Sequence, residues 1–234
     1  MALVRDGADA IDVGAAASNP AAKAVAPDVE IRRLEPVVLA LQHAGVVVSV
    51  DSFQPDVQRW AVTRRVDVLN DTRGFPLSSL YHQLASCPSR LIVMHAIQDT
   101  GKADRTSGNA ATIIDRVVAF FTERLAALEA GGVARARCIL DPGMGLFLGT
   151  GAEPSIAVLR ALPVLRERFG LPVMVGISRK SVVGLLSGRA VDERGPATLA
   201  AELYAARQGV DWIRTHDVRA LHDALAVQRG LEGG

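Results

Sequence analysis

Residues 138–143 read CILDPG, a short apolar run that ends in an acid, a proline and a glycine. The same arrangement recurs along the chain: LIVM at 91–94 precedes His95, and VVVSV at 46–50 precedes Asp51. Short apolar runs without alternation are typical of strands buried on both faces, as in parallel sheets. The polar residue that follows each run then lies at the carboxyl end of a buried strand.

Seven such runs alternate with longer amphipathic stretches. The predicted strands are Ala10–Val13, Val46–Val50, Val66–Leu69, Leu91–Met94, Cys138–Leu140, Pro172–Ile177 and Trp212–Arg214. Helical spacing of apolar residues predicts helices over Asp28–His43, Pro55–Arg65, Ala111–Ala130, Ser155–Phe169, Ala197–Gln208 and Val218–Arg229. Strands that alternate with helices predict right-handed crossovers and a parallel sheet, in one domain over residues 1–234.

Polar residues follow six of the seven strands, which favours a TIM-type (β/α)8 barrel within the α/β class. They are Asp51, Asn70 and Asp71, His95, Asp141, Ser178–Lys180, and His216 with Asp217. A barrel builds its site from the carboxyl ends of many strands, whereas a doubly wound sheet concentrates it at one switch point. Only seven strands are found, and MALVRDGADA reads as the last turn of a helix before the first of them. We therefore expect the first βα unit to be incomplete in this sequence.

Composition excludes several classes of function. The 26 basic and 25 acidic residues give a net charge of +1, so no basic field indicates nucleic-acid binding. No apolar run approaches the roughly 18 residues that span a membrane, and the N-terminus lacks the apolar core of a secretory signal. The two cysteines, Cys87 and Cys138, share no metal-ligand spacing and predict reduced thiols in the cytoplasm.

Two neighbouring loops carry cationic and hydroxyl groups. Arg214 and His216 are two residues apart, so in an extended segment they point the same way at the end of the last strand. Ser178-Arg179-Lys180 follows the preceding strand. Loops after the last two strands are where this barrel commonly binds phosphate, and Arg forks onto phosphate oxygens. We expect an oxyanion or phosphate ester there; the alternative is a solvated basic edge.

Asp51, Asn70 and Asp141 come from three different strands and are expected to converge on the barrel mouth. Carboxylates accept hydrogen bonds from ring and exocyclic N–H groups, and an Asn amide both donates and accepts. This set suits a pterin or purine better than a sugar. Each residue alone could instead be a helix cap or turn former. Met94 closes a strand and could pack on a flat ring or in the core.

Together these motifs resemble dihydropteroate synthases. The matching stretches, in order, are Ile11–Gly14, Ser49–Ser52, Leu69–Asp71, Val93–His95, Ile139–Gly143, Ser178–Ser181 and Arg214–His216. The combination of SRKS with a closing RTH is the most specific part. Ile31–Arg33, Asp51–Pro55, Asn70–Pro76, Asp141–Gly145 and Gly195–Leu203 are similar to the sulfonamide-insensitive branch carried on mobile elements.

The resemblance implies roles for residues at matching positions. The pterin would be held by Asp51, Asn70, Met94, Asp141 and Lys180, with Asp51, Asp141 and Lys180 as the catalytic groups. The diphosphate would bind Ser18, Arg214 and His216. The p-aminobenzoate pocket would include Ser18, Asn19, Pro20, Leu146 and Ser181. Asn19 stands where the family usually has Arg, and Leu146 stands where relatives have Phe.

The resemblance also implies a reaction. Diphosphate leaves a pterin methylene, Mg²⁺ and basic groups stabilise its charge, and the aniline nitrogen of p-aminobenzoate attacks the resulting cation. No residue here is assigned as a metal ligand, because the family's ligand lies in an opening loop expected to be absent. A homodimer is expected from the same resemblance.

Two alternatives remain open at this point. A pterin-binding barrel of the methyltetrahydrofolate methyltransferase kind would share Asp51, Asn70 and Asp141 but would not need SRKS and RTH. An inactive remnant or non-catalytic folate-binding subunit would follow from the incomplete first unit.

Overall fold

A computed structural model describes residues 1–233. The strands are β1 Ala10–Val13, β2 Val47–Asp51, β3 Val68–Asp71, β4 Arg90–Met94, β5 Cys138–Asp141, β6 Met174–Val175 and β7 Trp212–Ile213. The helices are α1 Ala2–Arg5, α2 Pro27–His43, α3 Pro55–Thr63, α4 Tyr81–Ser86, α5 Ile113–Ala130, α6 Glu153–Phe169, α7 Ser181–Ser187, α8 Gly195–Arg207 and α9 Val218–Glu232.

All strand pairs are parallel and follow chain order, as right-handed β/α crossovers require. Strands β1 to β5 form one sheet, and β6 pairs with β7. An isolated bridge between Leu140 and Val173 connects the two sheets. The architecture is therefore the β/α barrel that the sequence predicts, with one position of the ring open between β7 and β1.

The open position is a groove of about 590 Å³ between β1 and β7. Ile11 and Asp12 line it on one side, Trp212 and Ile213 on the other, and Leu221 of α9 at its back. Within residues 1–233, β1 pairs only with β2 and β7 only with β6. This opening leaves the seven strands as an interrupted ring with their carboxyl ends on one face.

The longer helices bury one stripe each against the strands. In α5 the buried residues are spaced by three or four: Ile113, Val117, Phe121, Leu125 and Leu128. That spacing is the helical period, so the stripe lies on one face. Phe121 meets Phe169 at the end of α6 with ring centroids 5.6 Å apart. No helix within residues 1–233 has the length and apolar character of a membrane span.

The seven predicted strands are confirmed, with ends shifted by one or two residues. The regular ladders of β6 and β7 are shorter than predicted, since only Met174–Val175 and Trp212–Ile213 pair. The sequence does not predict the two short helices α4 and α7. Each spans fewer than eight residues, which is too short for helical periodicity to stand out in a sequence.

The loops after β4 and β5 touch each other at Gly143. Its φ is +79°, and a Cβ there would lie 2.4 Å from the carbonyl oxygen of His95. The amide of His95 in turn donates to the carbonyl of Asp141 over 2.8 Å. The glycine that follows Asp-Pro therefore lets two strand ends approach, rather than only admitting a ligand.

We predict that Gly143→Ala lowers the free energy of unfolding by about 3 kcal/mol or more, because it adds a clash to a left-handed backbone. Gly170→Ala is the matched control. Gly170 has φ +61° with nothing within 4 Å of its Cβ position, so it should lose only the left-handed cost of about 1–2 kcal/mol. Urea unfolding of both variants measures the difference. Equal losses of unfolding free energy in the two variants would show that the close approach to the His95 carbonyl does not affect stability.

Candidate active site

Arg214 is the centre of the polar cluster at the strand ends. Its Nε lies 2.9 Å from Oδ2 of Asp12, and its Nη2 lies 3.2 Å from Oδ2 of Asp51. Its side chain is 45% exposed, whereas those of Asp12 and Asp51 are 16% and 19% exposed. One edge of the guanidinium is thus fixed by carboxylates while the rest of it faces the barrel mouth.

Asp12 extends this cluster to β3. It accepts hydrogen bonds from the Ser49 hydroxyl over 2.6 Å and from Nδ2 of Asn70 over 3.3 Å. Because Nδ2 is engaged there, the other amide atom of Asn70 is fixed in direction. That atom, Oδ1, is buried and has no partner among residues 1–233. It is a hydrogen-bond acceptor available to a ligand.

Asp51 titrates near neutrality. Burial, the largest cause, and the neighbouring Asp12 raise its pKa, Arg214 and Lys180 lower it, and the resulting pKa is about 7. Burial disfavours the charged carboxylate, and the two cations only partly compensate. At neutral pH this carboxyl is therefore poised to gain or lose a proton.

Asp141 and Lys180 form the opposite part of the cluster. Asp141 is buried, and one of its carboxyl oxygens accepts from the Gly143 amide over 2.8 Å. Burial raises the pKa of Asp141, whereas Lys180 and Arg214 lower it. Burial and the nearby Arg214 lower the pKa of Lys180. The carboxylates of Asp141 and Asp51 raise this pKa, and the net shift is downward. Asp51, Asp141, Lys180 and Arg214 thus share one electrostatic environment, as the sequence predicts.

The two residues that end β3 have different uses. Asp71 is buried and accepts from the amides of Arg73 and Phe75 and from the side chain of Gln58. All three bonds are satisfied inside the protein, so Asp71 shapes the loop that follows. Asn70 keeps one buried acceptor, Oδ1, without a partner among residues 1–233. Of this pair, only Asn70 is available to a ligand.

The loops after β6 and β7 are bonded to each other. The Nδ1 atom of His216 lies 2.9 Å from the Ser178 hydroxyl, and the His216 amide donates to the same oxygen over 3.3 Å. His216 therefore turns toward Ser178, whereas Arg214 turns toward Asp12 and Asp51. Both residues border the mouth, but they do not share a partner. Strand β7 ends at Ile213, and the two side chains beyond it take different partners although they are two residues apart.

Arg194 holds the backbone of the loop that carries Lys180. Its Nη1 donates to the carbonyls of Arg179 over 3.0 Å and Lys180 over 3.3 Å. Arg179 has φ +60°, a conformation that costs a non-glycine residue energy. The guanidinium of Arg194 therefore stabilises a strained turn immediately before Lys180 and α7.

An apolar group closes the side of the site near β4. Met94, Ala103 and Phe147 are buried together, with Leu146 packed against them. The ammonium of Lys180 lies 4.9 Å from the centre of the Phe147 ring, which favours the charged amine. The carbonyl of Ser18 accepts from the Ala103 amide over 2.9 Å, so the loop that carries Ser18 is tied to this group.

The residues predicted for p-aminobenzoate are only partly brought together. Leu146 packs against the Met94 group, and the buried hydroxyl of Ser181 has no partner among residues 1–233. Asn19 and Pro20 lie exposed on the surface loop that follows Ser18. Asn19 accepts from the amide of Ala21, which gives it a local turn-forming role.

His95 is a buried structural residue. It is 2% exposed, and its Nδ1 bonds to the carbonyl of Pro142 over 3.1 Å. Burial lowers its pKa to about 4, so the imidazole is neutral at pH 7 and donates to that carbonyl. His95 is thus a hydrogen-bonded loop residue that ties the end of β4 to the loop after β5.

The sequence does not reveal four contributors: Asp12, Ser49, Phe147 and Arg194. Asp12 lies in the matching stretch Ile11–Gly14, and an acid inside a buried strand is the signal that marks it. Phe147 follows the glycine-rich run directly. Arg194 has no sequence signal, because its partners are backbone carbonyls.

Metal ligands are sparse in this cluster. No group of three or more His, Cys, Asp or Glu side chains within residues 1–233 is arranged to hold a metal ion. The expected Mg²⁺ therefore has no protein ligand set of its own in the described part of the chain.

The whole chain is similar to known pterin enzymes. Residues 1–216 match the family described as pterin binding enzyme. Dihydropteroate synthase type-3 of Escherichia coli is 47% identical over 229 residues, which are 98% of this chain and 87% of that protein. The type-2 enzyme of Escherichia coli is 50% identical over 230 residues, covering 98% of this chain and 84% of that protein.

The chain belongs to the dihydropteroate synthase family. Among solved structures, the dihydropteroate synthase of Xanthomonas albilineans with 4-aminobenzoic acid has a TM-score of 0.90 at 32% identity, covering 100% of this chain and 82% of that one. Its complex with 7,8-dihydropteroate has a TM-score of 0.85 at 31% identity, covering 100% and 85%. The resemblance of the sequence to dihydropteroate synthases is confirmed. The relatives and solved structures named here are dihydropteroate synthases.

The neutral His95 predicts a pH dependence of stability. The unfolded chain takes up a proton on this histidine near pH 6.5, but the folded chain does so only near pH 4. The unfolded state thus binds more protons between these values, and stability falls as the pH drops through them. His95→Asn, which keeps a donor for the Pro142 carbonyl, should show a shallower loss than the parent protein.

Thermal unfolding between pH 4 and 7 measures this slope. His82→Asn is the control, since His82 is exposed on α4. Other groups with shifted pKa values are common to all three proteins and cancel in the comparison. An unchanged slope in His95→Asn would show that His95 is not the group that takes up the proton.

Proposed function

We propose that this protein condenses 6-hydroxymethyl-7,8-dihydropterin diphosphate with p-aminobenzoate to give dihydropteroate, a step of folate biosynthesis. The observation that carries the assignment is the set of acceptors at the strand ends, beside an arginine and a lysine. This set occurs in a chain about half identical to dihydropteroate synthases over nearly its full length.

Asp141, Asn70 and Asp51 would recognise the pterin. A pterin presents ring and exocyclic N–H groups along one edge and a carbonyl oxygen beside them. Asp141 and the free Oδ1 of Asn70 are acceptors for the N–H groups, and the Lys180 ammonium is a donor for the carbonyl or ring nitrogen. Met94 would pack on the flat ring, beside Ala103 and Phe147.

Arg214 and His216 would hold the diphosphate, with Ser18 contributing from its loop. Arg214 presents its unpaired edge at the mouth, where it can fork onto phosphate oxygens. Burial and the nearby Arg179 and Arg214 lower the pKa of His216. A neutral His216 can still donate one N–H to a phosphate oxygen.

In the reaction, the bond between the pterin methylene carbon and the diphosphate oxygen breaks, and diphosphate leaves with the electron pair. The aniline nitrogen of p-aminobenzoate then bonds to that carbon and releases a proton. Arg214 and Lys180 stabilise the leaving anion. The carboxylates of Asp51 and Asp141 stabilise the electron-poor pterin, and no strong general base is required.

The p-aminobenzoate would lie between Leu146, Ser181 and the loop of Ser18 to Pro20. The unpartnered hydroxyl of Ser181 is a donor or acceptor for its polar ends. Leu146 offers an aliphatic wall where a flat ring would stack. We also propose that the pocket discriminates against sulfonamides, because several stretches of the sequence are similar to the sulfonamide-insensitive branch of the family.

The proposal also covers a metal ion, an oligomeric state and a cellular location. Mg²⁺ would arrive with the diphosphate, because this ion is usually held by one or two carboxylates together with substrate phosphates. A homodimer would cover the exposed apolar side chains of α7 to α9, such as Leu186, Tyr204 and Val227. A cytoplasmic location would suit the two free cysteines, Cys87 and Cys138.

We predict that Arg214→Met raises KM for the pterin diphosphate by about 10- to 100-fold, because charge-assisted hydrogen bonds are lost. KM for p-aminobenzoate should change by no more than about twofold, since that substrate does not touch the guanidinium. Steady-state kinetics with each substrate varied in turn measures both values.

Arg219→Met is the control, because Arg219 is an exposed arginine of α9 outside the strand ends. It should behave as the parent protein. Equal increases in both KM values, or no increase for the pterin diphosphate, would contradict the role given to Arg214.

Sulfonamide tolerance has its own test. Expression of this protein in a sulfonamide-sensitive bacterium should raise the inhibitory dose, because the pocket passes p-aminobenzoate and rejects its sulfonamide analogue. The Arg214→Met variant should confer less protection at equal expression. An unchanged inhibitory dose, with pterin coupling intact in the purified protein, would rule out tolerance.

A further inference from the structure

A second cavity lies behind the loop that carries Lys180, outside the ring of strands. Its volume is about 460 Å³, which is enough for a small molecule. Its polar lining comes from Ser178, Arg179, Asp192, Thr198, Glu202, His216 and Asp217. We refer to it as the α8 cavity. Ser178 and His216 separate it from the strand-end site.

Glu202 is the unusual residue of the α8 cavity. It is 1% exposed, and its Oε1 atom has no hydrogen-bond partner among residues 1–233. A buried carboxyl with an unsatisfied oxygen is costly, and an alanine or leucine at this helix position would avoid that cost. Burial is the largest influence on the pKa of Glu202 and raises it, Asp217 raises it as well, Thr215 lowers it, and the pKa is about 7. Glu202 therefore lines the α8 cavity with a buried carboxyl whose Oε1 atom lacks a partner among residues 1–233.

The charges around the α8 cavity favour a cation. Asp192 and Asp217 line the α8 cavity together with Glu202. Among the described lining residues, Arg179 carries a permanent positive charge. Arg179 is exposed and can turn to water. The pKa of His216 is lowered, so it adds little positive charge at pH 7. Pro196 and Leu199 supply an apolar wall for the body of a ligand.

We propose that the α8 cavity binds a small ligand with an apolar body and an ammonium, amidinium or guanidinium group, which pairs with Glu202. The ligand would supply the donor that Oε1 lacks. Because His216 lines the α8 cavity and is proposed to hold the diphosphate, occupancy would alter the affinity for the pterin diphosphate. This coupling rests on the proposed function; the binding itself does not.

Benzamidine is the probe, and benzamide is its uncharged counterpart. In calorimetric titration of the full chain we expect benzamidine to bind at least tenfold more tightly than benzamide. Glu202→Gln should weaken the binding of benzamidine by at least tenfold, since the substitution removes the charge of the side chain and keeps its shape. Glu193→Gln, a nearby exposed carboxylate that does not line the α8 cavity, should leave the affinity within twofold. Equal affinity in Glu202→Gln, or no binding at millimolar concentration, would overturn the proposal.

The strand-end site offers competing carboxylates, so Asp141→Asn is tested in parallel. Loss of binding in Asp141→Asn with retention in Glu202→Gln would place the probe at the mouth and overturn the proposal. A crystal of the unaltered protein with benzamidine gives a result that depends on no variant: density beside Glu202 supports the site, and density only at Asp141 overturns it.

The coupling has a separate readout. Saturating benzamidine should change KM for the pterin diphosphate at least threefold in the parent protein and not in Glu202→Gln. Binding with an unchanged KM would overturn the coupling alone. If the protein did not make dihydropteroate at all, the titration and the crystal would still decide whether the α8 cavity is a site.

Discussion

The site depends on the ion pairs that Arg214 makes with Asp12 and Asp51. They join the last strand end to the first two across the interrupted part of the ring. Two carboxylates this close repel each other in a poorly solvated place, and the guanidinium between them makes that placement tolerable. The Ser49 hydroxyl and the Asn70 amide complete the hydrogen bonds of Asp12. The amide orientation that leaves Oδ1 of Asn70 free is therefore a consequence of the same charge cluster.

The barrel explains how such distant residues meet. Each strand delivers one or two polar groups to a common face, and each return helix hides its apolar stripe on the outside. Close contact between neighbouring loops then fixes the directions of the polar groups. Gly143 lets the loop after β5 touch the backbone of His95, and Arg194 restrains the turn before Lys180. The active groups are thus positioned by backbone contacts that carry no chemistry themselves.

The sequence predicts the strands and the polar residues after them because both are local properties. Buried parallel strands are continuous apolar runs, and an acid after such a run stands out. The partners of those acids are not local. Nothing near Asp12 shows that it will pair with Arg214, which lies at the other end of the chain, or that Arg214 and His216 will turn to different partners. The cation–π contact of Phe147 with Lys180 also joins residues from different loops. For Asn19 and Pro20, the resemblance suggests a role in the pocket, and their exposed positions leave that role a proposal.

Under the proposed function, the charge cluster would also link recognition of the two halves of the substrate. In the structure, Arg214 is shared between carboxylates, and the diphosphate must compete with them for it. When phosphate oxygens take part of the guanidinium, Asp51 loses stabilisation of its charged form, and its already raised pKa rises further. A pterin N–H beside that carboxyl then supplies a hydrogen bond that the site needs. Each half of the substrate thereby improves the fit of the other. A free pterin or free diphosphate satisfies only part of the cluster, and this preference follows from desolvation and charge balance alone.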